Sequence, residues 1–119
     1  LAELTAAGVH AEWQGSPDPW GFDCIVNCTS VGMEGTGTET ASACDFGRAR
    51  PEALAVDIVY KPQATAFLNA ARNAGLRTLG GLPMLIYQGA LAFELWTGVR
   101  APVDVMFEAA RQRLREQSR

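Results

Sequence analysis

The stretch Gly80–Gly98, GGLPMLIYQGALAFELWTG, organises the reading of this chain. Two glycines open it and one closes it. The residues between are mostly apolar, with Pro83 confined to the first turn, where proline is tolerated. The pattern predicts one helix from about Leu82 to Trp96, buried because it is apolar nearly all round. Gln88 stands alone in that apolar interior. Burying an unpaired amide is costly, so a glutamine there calls for a dedicated partner, either backbone or ligand. Met84 lies one turn earlier, so Met84 and Gln88 point to one side of the helix.

Working back from this helix, Leu76–Leu79 reads as a short strand. A helix precedes it from about Thr65 to Ala74, with Thr65 as N-cap and Gly75 as its stop. Leu54–Tyr60 is a strand, apolar except for Asp57, and Pro62 prevents its continuation. Phe22–Val26 is another, and its run Cys24-Ile25-Val26 suits a strand buried on both faces. Further back, Val9, Ala11 and Trp13 alternate with His10 and Glu12 as a short strand that turns His10 to solvent. Leu1 and Leu4 before Gly8 resemble the last turns of a helix. Gly15–Gly21, with two prolines, is a loop. The polar segment from Asn27 to about Arg50 is a long connection, and its Gly32, Gly35 and Gly37 fit a flexible loop better than a phosphate loop, since no strand-turn-helix context surrounds them. Forward of the helix, Pro102 opens a last helix, with Val103, Met106, Phe107, Ala110 and Leu114 as an apolar stripe.

Strands alternating with helices predict an α/β fold with a mostly parallel sheet. Ligands of such sheets bind beyond the carboxyl ends of the strands. That singles out Asn27-Cys28-Thr29-Ser30, Tyr60-Lys61 and Gly80-Gly81. Each also has a plain structural reading. Polar side chains at a turn brace the turn itself, Tyr60 is an amphipathic edge residue, Asp57 a structural acceptor, Met84 a core residue and Lys61 a surface one.

Composition narrows the function classes. The 119 residues suffice for one modest domain, and 48% hydrophobic with 19% charged residues is ordinary for a globular chain. A net charge of −3 argues against nucleic acid or an anionic membrane as partner, since both need a basic field. The one basic cluster, Arg111, Arg113, Arg115 and Arg119, suits a solvated helix end. Cys24, Cys28 and Cys44 are an odd number with no second pair to complete a zinc site, which fits reduced thiols in a cytoplasmic protein and no metal. No signal peptide is visible, and no apolar run is clean enough to span a bilayer.

Three motifs, in order, resemble the shikimate dehydrogenase family. Asn27-Cys28-Thr29-Ser30-Val31-Gly32-Met33 resembles its N-A-T-S-x-G-M turn, with Cys28 in the alanine position. Asp57-Ile58-Val59-Tyr60-Lys61-Pro62 with Thr65 resembles D-x-x-Y-x-P-x-x-T. The Gly80–Gly98 stretch resembles its late glycine, Met-Leu and glutamine signature. The resemblance runs from about Phe22 to Gly98. It implies a Rossmann-like fold, incomplete and limited to the second half of the dinucleotide-binding domain. Residues 1–100 would form that portion, with 101–119 an amphipathic helix packed on it. It implies NADP as cofactor, touched by Thr29, Ser30, Ile58, Gly81 and Met84. The substrate would be shikimate or 3-dehydroshikimate, touched by Tyr60 and Gln88, with quinate as a relative's alternative.

The family's catalytic lysine and aspartate, its glycine-rich dinucleotide loop and its basic phosphate-reading motif match nothing in these residues. The expectation is therefore a C-terminal portion with no catalytic residue of its own, inactive alone. Its strands would be the third to sixth of a 3-2-1-4-5-6 sheet, leaving a bare apolar edge that favours self-association or pairing with an N-terminal part. A non-catalytic binding module of Rossmann type is the rival reading.

Overall fold

A computed structural model describes residues 7–8, 10–11 and 17–117. Three parallel strands form one sheet in the order β1-β2-β3: β1 (Cys24–Asn27), β2 (Leu54–Asp57) and β3 (Arg77–Leu79). Helix α1 (Ala66–Asn73) connects β2 to β3, and α2 (Gly81–Thr97) and α3 (Val103–Gln117) follow. The predicted α/β class with a parallel sheet is what the chain adopts. The expected strand around Val9 and Trp13 and the helix end at Leu1 and Leu4 lie outside the described residues, as does Arg119. His10, which is described, is exposed.

Local chemistry sets these boundaries. Thr65 caps α1, its hydroxyl accepting the Leu68 N–H at 3.2 Å. Gly75 ends that helix at φ +84°, a left-handed conformation that favours glycine. α1 buries Phe67, Leu68 and Ala71 against the sheet, where Ala55 of β2 is fully enclosed. The long β1–β2 connection contributes to this core instead of standing free of it. Cys44 and Phe46 are buried there, and the Phe46 ring meets Phe67 edge to face at 5.0 Å. The glycine-rich loop expectation is corrected in this respect: two apolar residues in its second half anchor the segment.

Two further expectations of burial are also corrected. β1 is not buried on both faces. Among the described strands it stands at the edge of the sheet, with Cys24 and Val26 exposed and only Asn27 fully buried. α2 is not a buried helix either. Only Gly81, Ile86 and Ala90 are buried, while Leu95 and Trp96 are 83% and 81% exposed. Its packing partner is α3, through Tyr87 against Phe107 at 5.6 Å. The predicted stripe of α3 is turned inward: Val103, Met106, Phe107 and Ala110 are half-buried and Leu114 is buried. Periodicity reported the apolar character of α2 correctly, but apolar character states what a helix needs to cover, not what covers it.

Candidate functional site at the carboxyl ends of the strands

All three motifs lie where the strands end. Asn27 and Asp57 are the last residues of β1 and β2, and they are register partners. The Asn27 amide nitrogen donates to Asp57 Oδ1 at 3.1 Å and to the Val31 carbonyl at 3.1 Å. Asp57 Oδ1 also accepts from the Val59 N–H at 2.9 Å, and Oδ2 accepts from the Thr65 hydroxyl at 2.6 Å. Asn27, Asp57 and Thr65 are the buried polar residues of the described chain, and no buried side-chain polar atom there lacks a partner. An enclosed carboxylate with three donors is satisfied in the way buried polar groups must be.

This network shapes the first turn. Asn27 Oδ1 accepts from the Thr29 N–H at 3.1 Å and the Thr29 hydroxyl at 2.6 Å, and Thr29 Oγ1 accepts from the Val31 N–H at 3.2 Å. Thr29 and Ser30 are exposed beside it. Gly32 closes the turn at φ +89°, with the Thr65 side chain 3.6 Å from where its Cβ would stand. Beyond the turn, Glu39 Oε1 accepts from the N–H groups of Gly35 at 2.7 Å and Gly37 at 3.3 Å. Hydrogen bonds from its own N–H and from those two glycines hold the Glu39 carboxyl below its usual range. The anion nest of these glycines is thus occupied by the chain's own carboxylate, which agrees with the reading that they are no phosphate loop.

The second and third motifs meet at Gly81. Its N–H donates to the Val59 carbonyl at 3.2 Å. A Cβ at Gly81 would overlap the Ile58 carbonyl and stand 2.8 Å from the Val59 carbonyl carbon, so any larger residue separates the helix start from the β2 exit. Tyr60, Gln63, Gly80, Gly81, Leu82 and Pro83 line an open cavity of about 210 Å³. Tyr60 is 40% exposed, and Ile58, outside that lining, is half-buried with its backbone carbonyl against Gly81. Lys61, read as a surface residue, is half-buried and pairs with Glu34 at 3.2 Å, while the Glu34 N–H donates to the Lys61 carbonyl at 3.0 Å.

The structure therefore brings Ile58, Tyr60 and Gly81 together and sets Thr29 and Ser30 on the neighbouring strand end. Met84 and Gln88 stand further along α2, outside that cavity lining, and both are exposed. Gln88 is not a buried amide. Its Nε2 donates to the Leu85 carbonyl at 2.9 Å, a local partner that leaves its Oε1 free of any hydrogen bond within the described chain. The sequence reading missed Asn27 as an organiser and Gln63 as a cavity residue. The signal for Asn27 was available: CIVN and LAVD are both apolar runs ending in one short polar residue, as adjacent strand ends sharing a buried pair would be.

Comparison with known proteins agrees with this geometry. Residues 81–111 match the family model described as the shikimate 5'-dehydrogenase C-terminal domain. The shikimate dehydrogenase (NADP(+)) of Moorella thermoacetica is 45% identical over 92% of this chain and 34% of its own length. A crystal structure of the Thermus thermophilus enzyme in complex with NADP(H) and shikimate superposes with a TM-score of 0.76, at 40% identity, over 93% of this chain and 41% of that one. The chain belongs to the shikimate dehydrogenase family, matching its C-terminal part. It spans about a third of the length of the curated relatives it matches. A quinate dehydrogenase from Corynebacterium glutamicum in complex with NAD also matches, at 35% identity and a TM-score of 0.68 over 77% of this chain and 32% of that one. Among the described residues no three metal-ligating side chains cluster, and no helix is long and apolar enough to cross a membrane.

Proposed function

We propose that this chain forms the cofactor-side and part of the substrate-side wall of an NADP-dependent shikimate dehydrogenase, the enzyme that interconverts 3-dehydroshikimate and shikimate in aromatic biosynthesis. The observation that carries the reading is the meeting of the motifs: Gly81 lies against the Ile58–Val59 backbone with Tyr60 beside it, at the carboxyl ends of parallel strands. The residues suit a nicotinamide ring. Ile58 and exposed Met84 offer apolar faces, Gly81 allows close backbone approach, and the Thr29–Ser30 turn offers hydroxyls for the rest of the dinucleotide. When bound, the nicotinamide would supply or accept the hydride.

The protein groups orient. The Tyr60 hydroxyl and the Gln88 amide bind hydroxyls of a cyclic polyol acid, Gln88 through the carbonyl oxygen its local bond leaves open. Such placement raises the rate by holding reactants in register rather than by moving protons. We assign no proton-transfer residue to this chain. We place residues 1–100 in one Rossmann-like portion with 101–119 as a helix packed on it, and the protein in the cytoplasm, where its free thiols stay reduced.

Titration of the isolated chain and of the full-length protein carrying it, with NADP and with shikimate or quinate, tests the reading. The full-length protein is expected to bind NADP and to turn over shikimate faster than quinate, and the chain alone to turn over neither. Turnover by the chain alone would refute the divided site. Absence of NADP binding in the full-length protein would instead favour a non-catalytic module.

A further inference from the structure

We propose that Asn27 is the positioning residue of the cofactor site: it fixes the Thr29–Ser30 turn to the β2 exit, so that the two walls of the site stand at one separation. The inference rests on the dinucleotide reading above, but the argument for it is the hydrogen-bond geometry. Asn27 uses all of its side-chain capacity for this purpose. Its nitrogen holds Asp57 on one side and the Val31 carbonyl on the other, and its oxygen takes both the N–H and the hydroxyl of Thr29. Asp57 in turn holds the Val59 N–H, one residue from Tyr60 and one from Ile58. The Ile58 N–H donates to the Asn27 carbonyl at 3.2 Å, a backbone link between the same two segments.

A single side chain thus spans the turn that would face one part of the cofactor and the strand exit that would face another. Helix capping alone does not require this. Thr65 caps α1 through its own hydroxyl, and Asp57 is bonded to it without any help from Asn27. Asn27 touches neither cofactor nor substrate in this arrangement. It is 98% enclosed, since only 2% of its surface is exposed, and it acts through Thr29 and Asp57. A buried side chain with four satisfied bonds has one arrangement available to it, which is what a positioning element needs.

Asn27→Ala in the full-length protein tests this, with Leu76→Ala as a comparison of similar stability loss at the amino-terminal side of β3, away from the site. Equilibrium NADP titration, followed by nucleotide fluorescence well below the unfolding temperature, is the first readout. Asn27→Ala is expected to raise the NADP Kd about tenfold, and Leu76→Ala to leave it unchanged. In steady state the NADP KM of Asn27→Ala rises while the shikimate KM holds. Asn27→Ser, which keeps one donor and one acceptor at the strand end, provides the same comparison should the alanine variant not fold. NADP affinity in Asn27→Ala equal to that of the unmodified protein, or an equal loss in Leu76→Ala, overturns the proposal. Failure of the underlying reading looks different: the unmodified protein itself then binds no NADP.

Discussion

The β1–β2–α1 unit and the α2 helix are built from similar amounts of apolar sequence and finish in opposite states. In the first, Phe67, Leu68 and Ala55 are enclosed, and every buried side-chain polar atom has a partner. In the second, Tyr87, Leu91, Leu95 and Trp96 are all more than half exposed. Isolated exposed apolar residues are normal, but several on one helix mark a face that another surface covers. The first unit thus encloses a core of its own between α1 and one face of the sheet, whereas α2 carries substrate-motif residues on a helix whose outer face is open among the described residues.

The largest test of that contrast is truncation of a large aromatic in each region. Phe67→Ala removes an enclosed ring and is expected to lower stability by about 3–5 kcal/mol. Trp96→Ala removes a larger side chain that is 81% exposed, and should change stability by no more than about 0.5 kcal/mol. Urea unfolding of both variants measures the difference. A large loss from Trp96→Ala would mean that α2 is covered in solution. The same side chains decide association. Sedimentation of the isolated chain is expected to reveal self-association, relieved by the pair Leu95→Glu and Trp96→Glu, and a dilute monomer unaffected by the pair would count against an apolar docking face.

Gly81 sits at the junction of the two regions, so its replacement sharpens the comparison next. Gly81→Ala forces the start of α2 away from the Ile58 and Val59 backbone, which cannot yield as a side-chain tip would. A loss of about 1–3 kcal/mol follows from such overpacking. The cavity beside Tyr60 opens with it, so NADP and shikimate affinity should fall together in the full-length protein. Gly89→Ala is the control on the same helix, because its Cβ would meet only the end of the Met106 side chain at 3.6 Å. Equal losses from the two would dissolve the special role of the junction.

Thr65→Val probes the satisfied region from inside. It removes the donor to Asp57 Oδ2 and the cap of α1 together, at nearly constant volume. Leaving one buried acceptor short of a partner and one helix N–H uncapped costs about 1–3 kcal/mol. Thr65→Ser keeps the hydroxyl and should recover most of it, which a midpoint shift in urea would register.

What could be read in advance divides along the same line. Local chemistry was legible: Thr65 as a cap, Gly75 as a stop and the inward stripe of α3 all follow from short-range rules, and the structure has them. The alternation of strand and helix was enough to place Thr29, Tyr60 and Gly81 at strand ends. Burial was not legible, because it depends on what lies opposite. Gln88 was read as an enclosed amide from its apolar neighbours, yet it lies on the exposed side of α2 with Met84, Tyr87 and Leu91, and it bonds to Leu85. Cys24 was placed inside a strand buried on both faces, yet it is exposed, on a strand at the edge of the described sheet. The Asn27–Asp57 pair was hidden for a related reason: residues 30 positions apart become neighbours only through strand register.

The three thiols give the smallest effect and the finest scale for the same contrast. Cys24 and Cys28 are exposed, and Cys44 is buried with the core that α1 completes. Burial raises the Cys44 pKa above its ordinary 9.0, and the nearby Asp45 and Asp18 carboxylates add to the rise. Because the thiolate is the reactive form, Cys44 should be modified by a disulfide reagent at pH 8 much more slowly than the other two, and at their rate only after unfolding. The sign of the linkage follows. The folded state holds the Cys44 proton more tightly, so its contribution to stability is complete below about pH 9 and declines as the pH rises through the folded value. A Cys44→Ala variant should lose that alkaline dependence and keep the rest of the profile. Rapid labelling of all three thiols in the native chain would mean that the segment carrying Cys44 and Phe46 opens readily, and the packed region would then be no more closed than α2.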